Sequence, residues 1–126
     1  MPKIYVVGNR LLKADSLPLR IMGALAAKFP AIDFVEFDPT ENFPEEKSIV
    51  IIDTVVGLKK VELLEDIGSF SLPKPYSLHD FDLGLTLKLM QKAGLLEKFK
   101  IIGVPPELTE KEAAMQVAQV IRPMSL

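Results

Sequence analysis

Three side chains in this sequence, two carboxylates and one imidazole, are candidates for a chemical role because of their places in the chain. Asp15 lies in the loop after the first predicted strand, Asp53 ends the third, and His79, the only histidine among 126 residues, precedes a predicted helix. Two carboxylates and one ring nitrogen suit a divalent transition metal that keeps open positions for water or substrate. The same trio could instead catalyse by acid–base chemistry, with a carboxylate orienting His79.

Each of these residues also has an ordinary structural interpretation. A histidine just before a helix is commonly an N-terminal cap or a solvated residue. An aspartate at a strand end is a common turn residue, as Asp53 would be. Asp15 could interact with the free N–H groups at the start of the helix that follows it. Spacing alone therefore leaves a ligand, an acid–base group and a structural role open at each position.

The composition excludes several classes of protein. The chain has no cysteine, which excludes a disulfide framework, a thiolate zinc site and a cysteine nucleophile. The net charge of -2 gives no support to nucleic-acid binding. Dinucleotide-binding, P-loop and serine-hydrolase glycine motifs are absent from the sequence. No apolar run approaches the roughly 18 residues that span a bilayer, so we expect a cytoplasmic protein. The ten prolines and the absence of cysteine and tryptophan favour a thermophilic source.

The elements that must position the three side chains alternate between strands and helices along a single domain, residues 1–126. Strands are predicted at 3–7, 32–37, 48–53 and 100–104, an edge strand at 61–64, and helices at 16–29, 80–93 and 109–121. Thr109 and Glu112 form a capping box at the start of the last helix. This order predicts an α/β fold, a three-layer α/β/α sandwich around a mostly parallel five-stranded sheet with one antiparallel strand. Ligands of such sheets bind outside the carboxyl ends of the strands, and right-handed connections bring the loops of Asp15, Asp53 and His79 to that edge.

Four segments, in order along most of the chain, resemble the NiFe-hydrogenase maturation endopeptidases. "VVGNRLLKAD" has a strand ending in Gly-Asn with an acidic residue, Asp15, six positions after the asparagine. "IVIIDTVVG" has an apolar strand ending in Asp53, and "SLHDFDLGL" carries His79 before Leu-Gly-Leu. "IIGVPPE" ends the last predicted strand, and its residues Gly103 to Glu107 match the family pattern Gly-Val/Ile-x-Pro-Glu.

This resemblance implies a phosphorylase/hydrolase-like fold and an endopeptidase that removes the C-terminal extension of the hydrogenase large-subunit precursor after nickel insertion. Asp15, Asp53 and His79 match the residues through which the family binds the nickel region of its substrate, and they carry the expected catalytic role. Nickel would then arrive with the substrate. The implied partner is the large-subunit precursor, and we expect the protein itself to be a monomer.

The sequence departs from the family at a segment that is thought to contact substrate. The family pattern Asp-Gly-Gly/Cys-Thr reads Asp38-Pro39-Thr40 here, so only Asp38 and Thr40 remain as expected substrate-binding residues. The chain is also shorter around 39–47. The alternative function is therefore a non-proteolytic binding or checkpoint protein for the same precursor. A receiver-like signalling domain with Asp53 as phosphoacceptor ranks lower, because the chain lacks the acidic pair after the first strand and the lysine after the last.

Overall fold

A central β-sheet organises the part of the chain that the computed structural model describes, which is residues 1–8, 11–12, 15–38, 45–65, 77–78, 92–124 and 126. Its strands are β1 (Lys3–Val6), β2 (Asp33–Glu36), β3 (Ser48–Val56), β4 (Glu62–Glu65), β5 (Ser77–Leu78) and β6 (Lys98–Val104). The order across the sheet is β2-β1-β3-β6-β4, and β5 pairs with β3 outside that path. The pairs among β2, β1, β3 and β6 are parallel, whereas β4 and β5 are antiparallel to their partners. The prediction of an α/β fold with a mostly parallel sheet and an antiparallel edge strand is confirmed.

The described helices pack against one face of this sheet. They are α1 (Leu17–Arg20), α2 (Met22–Lys28) and α3 (Glu110–Ile121). The single helix predicted at 16–29 is thus two helices that meet at Ile21, and Pro18 lies in the first turn of α1, where its fixed φ suits a helix start. The helix predicted at 80–93 lies outside the described residues, apart from its last two. No helix within the described ranges has the length and apolarity needed to cross a bilayer.

The capping box predicted at the start of α3 is present. The N–H of Glu112 donates to Oγ1 of Thr109 at 3.1 Å, and the N–H of Thr109 donates to Oε1 of Glu112 at 3.0 Å. The bond from the Thr109 N–H, with the Thr109 side chain, lowers the pKa of the Glu112 carboxyl below its usual value. Two otherwise unpaired donors at the helix start are satisfied in this way.

Both faces of the sheet are buried, which explains why its strands are continuous apolar runs. On one face, alternate strand residues pack against the described helices in a first core. The strands contribute Ile4, Val6, Ile52 and Ile102 to this core, and the helices contribute Leu25, Val117 and Ile121. The residues between them form a second core on the other face, made of Tyr5, Val7, Ile49, Ile51, Leu96, Phe99 and Ile101. This alternation has the period of two that side chains of a β-strand must have.

Tyr5 links the second core to the segment that leads into β3. Its hydroxyl donates to Glu46 at 2.8 Å from Oε1 and 2.9 Å from Oε2, and its ring lies edge-on to Phe37 with 5.4 Å between ring centroids. Burial and the Glu46 carboxylate raise the pKa of Tyr5 to about 12. The same hydroxyl lowers the pKa of Glu46. The contact therefore fastens the start of β3 to β1 across 41 residues of sequence.

Candidate functional site

The carboxyl end of β1 lies beside the second half of β3, at the edge where the sequence predicts a site. Val6 pairs with Ile52, and the N–H of Val7 donates to the carbonyl oxygen of Ile52 at 2.9 Å. Gly8 therefore leaves the sheet at the level where Asp53 continues β3. In parallel sheets this edge is where ligands bind, because the loops that follow the strands meet there.

Asp15 reaches this edge from the loop between β1 and α1. Its side chain is only 2% exposed, and its N–H donates to the carbonyl oxygen of Leu12 at 3.0 Å. Its own carbonyl oxygen lies against Gly8, so closely that a Cβ built at Gly8 would be 2.6 Å away. Glycine at position 8 thus allows the loop that carries Asp15 to pack directly on the end of β1.

Asp53 is placed by β3, the central strand of the sheet. Its side chain is completely buried, and Asp53 pairs with Gly103 of β6. The alternation of β3 puts Asp53 on the same face as Ile51, away from the described helices. Oδ1 of Asp53 accepts the N–H of Thr54 at 2.8 Å, which orients the carboxylate. An aspartate is seldom fully buried unless its carboxylate is paired.

A glycine beside Asp53 creates space that a distant side chain fills. A Cβ built at Gly103 would lie 2.8 Å from Cδ1 of Leu58 and 2.9 Å from Cγ2 of Val55. Leu58 is only 4% exposed and covers Gly103 next to Asp53. The resemblance pattern included Gly103, but it gave no sign of Leu58, which packs against Gly103 in the strand beside Asp53.

Thr54 adds a polar group at this strand end that the sequence reasoning missed. Its side chain is fully buried, and Oγ1 makes no hydrogen bond within the described part of the chain. Its strand alternation places it on the helix-packed face, opposite to Asp53. Buried hydroxyls are usually hydrogen-bonded, so Thr54 is a further polar position to test at this edge.

The start of α1 has no side-chain cap. Ser16 stands at the cap position, but its side chain makes no capping bond and instead accepts Nε–H of Arg20 at 3.0 Å. Arg20 also contacts Glu110, with 3.0 Å between Nη1 and Oε2. Ser16, the residue after Asp15, therefore connects the loop to α1 and, through Arg20, to the start of α3.

The remaining predicted site residues are only partly covered by the structure. Asp38 is described: it is exposed just beyond the carboxyl end of β2, where the N–H of Phe37 donates to the carbonyl oxygen of Val6 at 3.0 Å. Thr40 and His79 lie outside the described residues. Among the described residues, no three histidine, aspartate or glutamate side chains form a group that could hold a metal ion.

One short pairing brings the chain close to Asp53 just before His79 in sequence. Leu78 pairs with Val55, two residues after Asp53, in the antiparallel contact between β5 and β3. β5 therefore brings the chain to the end of β3 that carries Asp53.

Comparison with known proteins gives no relative for this chain: no protein-family model, no curated protein and no solved structure matches it.

Proposed function

We propose that this protein is an endopeptidase of the NiFe-hydrogenase maturation type, which removes the C-terminal extension of the large-subunit precursor and recognises the nickel centre of that substrate. The observation that supports the proposal is the burial of two carboxylates, Asp15 and Asp53, at one edge of the sheet. They come from segments 38 residues apart, and both lie where β1 and β3 present their carboxyl ends.

The chemistry of these side chains fits a metal carried by the substrate. Carboxylate oxygens bind divalent first-row metals, and an imidazole from His79 would add the nitrogen donor that nickel favours. Water is excluded from Asp15 and Asp53, which are 2% and 0% exposed, so charge interactions there are stronger than at a protein surface. In this proposal nickel is part of the substrate, and the protein supplies the donors that recognise it.

Recognition of nickel would make cleavage depend on the loading of the precursor. A precursor anchored through its metal holds its scissile segment at the edge of the sheet, and an unloaded precursor lacks that anchor. The Thr54 N–H orients the Asp53 carboxylate, and Gly8 allows the loop that carries Asp15 to pack on the end of β1. These contacts pre-orient two donors before the substrate arrives.

The test is a cleavage assay with purified protein and nickel-loaded precursor, read by mass spectrometry of the released C-terminal peptide. We expect one released extension, no release from nickel-free precursor, and loss of release in Asp53→Asn and His79→Ala. Asp33→Asn is the matched control, because this carboxylate lies at the amino end of β2 and its replacement should leave cleavage unchanged. A loaded precursor that wild-type protein neither cleaves nor binds would refute the proposal.

The second candidate is a binding or checkpoint protein that holds the same precursor without cutting it. The observation that favours it is the segment after β2, where proline follows Asp38 in place of the glycine of the protease pattern. A stable complex with uncut, nickel-loaded precursor would support this function. Its loss in Asp53→Asn, with Asp33→Asn still binding, would assign the interaction to the same edge.

A further inference from the structure

A groove of about 400 Å³ lies between α2 and α3, on the helical layer and away from the second core of the sheet. Ile21, Ala24 and Lys28 line its α2 side, and Lys111 and Met115 line its α3 side. Ile21 is buried, whereas Met115 is 49% exposed. The groove is thus an apolar trough that opens to solvent between two helices.

The groove has the length of about two helical turns. Both helices begin near the same end, because Nη1 of Arg20 contacts Oε2 of Glu110 at 3.0 Å just before α2 and at the first residue of α3. Lys111 therefore lies at this end, and Lys28, the last residue of α2, lies at the other. Ile21 and Lys28 are seven positions apart, which corresponds to roughly 10 Å at the rise of an α-helix.

The charges of the groove are not balanced. Arg20 and Glu110 neutralise each other in their ion pair. Lys28 and Lys111 make no ion pair within the described ranges. Two unneutralised ammonium groups therefore flank an apolar floor, which favours an anionic amphipathic ligand over a neutral apolar one.

We propose that this groove binds an acidic amphipathic helix of a partner protein. Carboxylates at positions i and i+7 of that helix would meet Lys28 and Lys111, since seven residues cover the same rise of roughly 10 Å. Apolar residues at i+3 and i+4 would contact Ala24 and Met115, in the helix-in-groove mode. The flexible thioether of Met115 adapts to different apolar side chains.

A second copy of the chain fits this groove less well than a foreign helix does. The described helices α2 and α3 carry no two carboxylates seven residues apart: α2 has none, and Glu110 and Glu112 are followed at that spacing by Val117 and Gln119. The inference concerns a surface other than the carboxyl edge of the sheet and does not rest on the proposed protease activity.

The probe is a fluorescein-labelled helical peptide of about 16 residues with glutamates at i and i+7 and leucines at i+3 and i+4, a length at which an isolated helix is marginally stable. Its partner probe has lysines in place of the two glutamates. Fluorescence anisotropy should give saturable binding of the acidic peptide to the wild type, weakened by salt, and binding of the lysine peptide at least about tenfold weaker.

Charge reversal tests the two lysines directly. In the double variant Lys28→Glu/Lys111→Glu, affinity for the acidic peptide should fall about tenfold or more, and affinity for the lysine peptide should rise. The matched control is Lys59→Glu/Lys60→Glu, which changes the net charge equally at two exposed lysines outside the groove. In that control the affinity for the acidic peptide should change by less than about twofold.

Three outcomes would overturn the proposal. The first is that the wild-type protein does not bind the acidic peptide. The second is that both double variants weaken binding equally, because an equal loss would indicate only non-specific charge attraction. Sedimentation could also reveal a dimer that the Lys28→Glu/Lys111→Glu variant dissociates and that the peptide does not displace. The occupant would then be a second copy of this chain.

Discussion

Gly8 connects the first strand to the candidate site, and replacing it with alanine should disturb both. The methyl group would lie 2.6 Å from the carbonyl oxygen of Asp15, which is 0.8 Å less than the 3.4 Å at which ordinary contacts begin. It would also lie 3.1 Å and 3.2 Å from side-chain carbons of Leu19. The closest neighbour is backbone rather than the tip of a flexible side chain, so the loop that carries Asp15 must move.

The expected cost follows from two opposing effects. Overpacking in a well-packed region costs about 1–3 kcal/mol of unfolding free energy. Replacing glycine with alanine recovers about 0.4–1 kcal/mol, because the unfolded chain loses conformational freedom. We therefore expect Gly8→Ala to lower the free energy of unfolding by about 1–2 kcal/mol, which for a chain of this length lowers Tm by about 4–8 °C.

Urea unfolding of Gly8→Ala and of the control Gly23→Ala measures this effect. Gly23 lies in α2, and a Cβ built there would meet nothing within 4 Å. Alanine favours the helix over glycine, so Gly23→Ala should be more stable than the wild type by about 0.5–1 kcal/mol. The reasoning is refuted if Gly8→Ala is at least as stable as the wild type, or if both substitutions change stability in the same direction.

Two further predictions concern hydrogen bonds with titratable partners. Tyr5→Phe removes the hydroxyl that donates to Glu46 and should cost about 0.5–1.5 kcal/mol at neutral pH. Because the pKa of Tyr5 is raised from 10.0 to about 12, wild-type stability should fall as pH rises from 10.0 to about 12, and urea unfolding of the phenylalanine variant should lack that fall. An equal alkaline slope in the two proteins would contradict this assignment. Thr109→Ala removes the cap of α3 and should cost about 1 kcal/mol. The pKa of Glu112 is lowered from 4.5, so its contribution is present above pH 4.5 and is lost below it. Urea unfolding of Glu112→Gln, which removes the titrating carboxyl group, should therefore depend less on pH in the acid range than that of the wild type, and an unchanged acid slope would count against the capping box.

The sequence predicted the strands of the sheet well because their apolar runs reflect burial on both faces. It placed their ends less well. β6 begins at Lys98, two residues before the predicted start, since Lys98 pairs with Ser48. β3 continues three residues beyond Asp53 to Val56, because Thr54 pairs with Val104 and Val55 pairs with Leu78. Strand ends depend on partners that are distant in sequence, and a local pattern carries no record of them.

The same limit applies to the candidate site. The rule that loops after parallel strands meet at one edge was sufficient to place Asp15 and Asp53 there. Leu58 could not be predicted, because its role depends on the missing side chain of Gly103, 45 residues later. Ser16 has the residue type of a helix cap, but its hydroxyl oxygen instead accepts a hydrogen bond from Nε–H of Arg20, one turn along the helix. Which donor the Ser16 hydroxyl binds, the helix N–H groups or Arg20, depends on contacts that form only in the folded protein.

The two carboxylates of the site are held by different parts of the fold, which allows their roles to be separated. Asp53 belongs to β3, which pairs with β1 on one side and β6 on the other, so its backbone is fixed by the sheet. Asp15 lies in a loop whose position depends on contact with Gly8. Gly8→Ala should therefore displace Asp15 while Asp53 stays in place, whereas Asp53→Asn changes the chemistry of one donor and leaves the loop intact. If the proposed site needs both donors together, each substitution alone should abolish recognition of the nickel-loaded precursor under conditions where both variants remain folded.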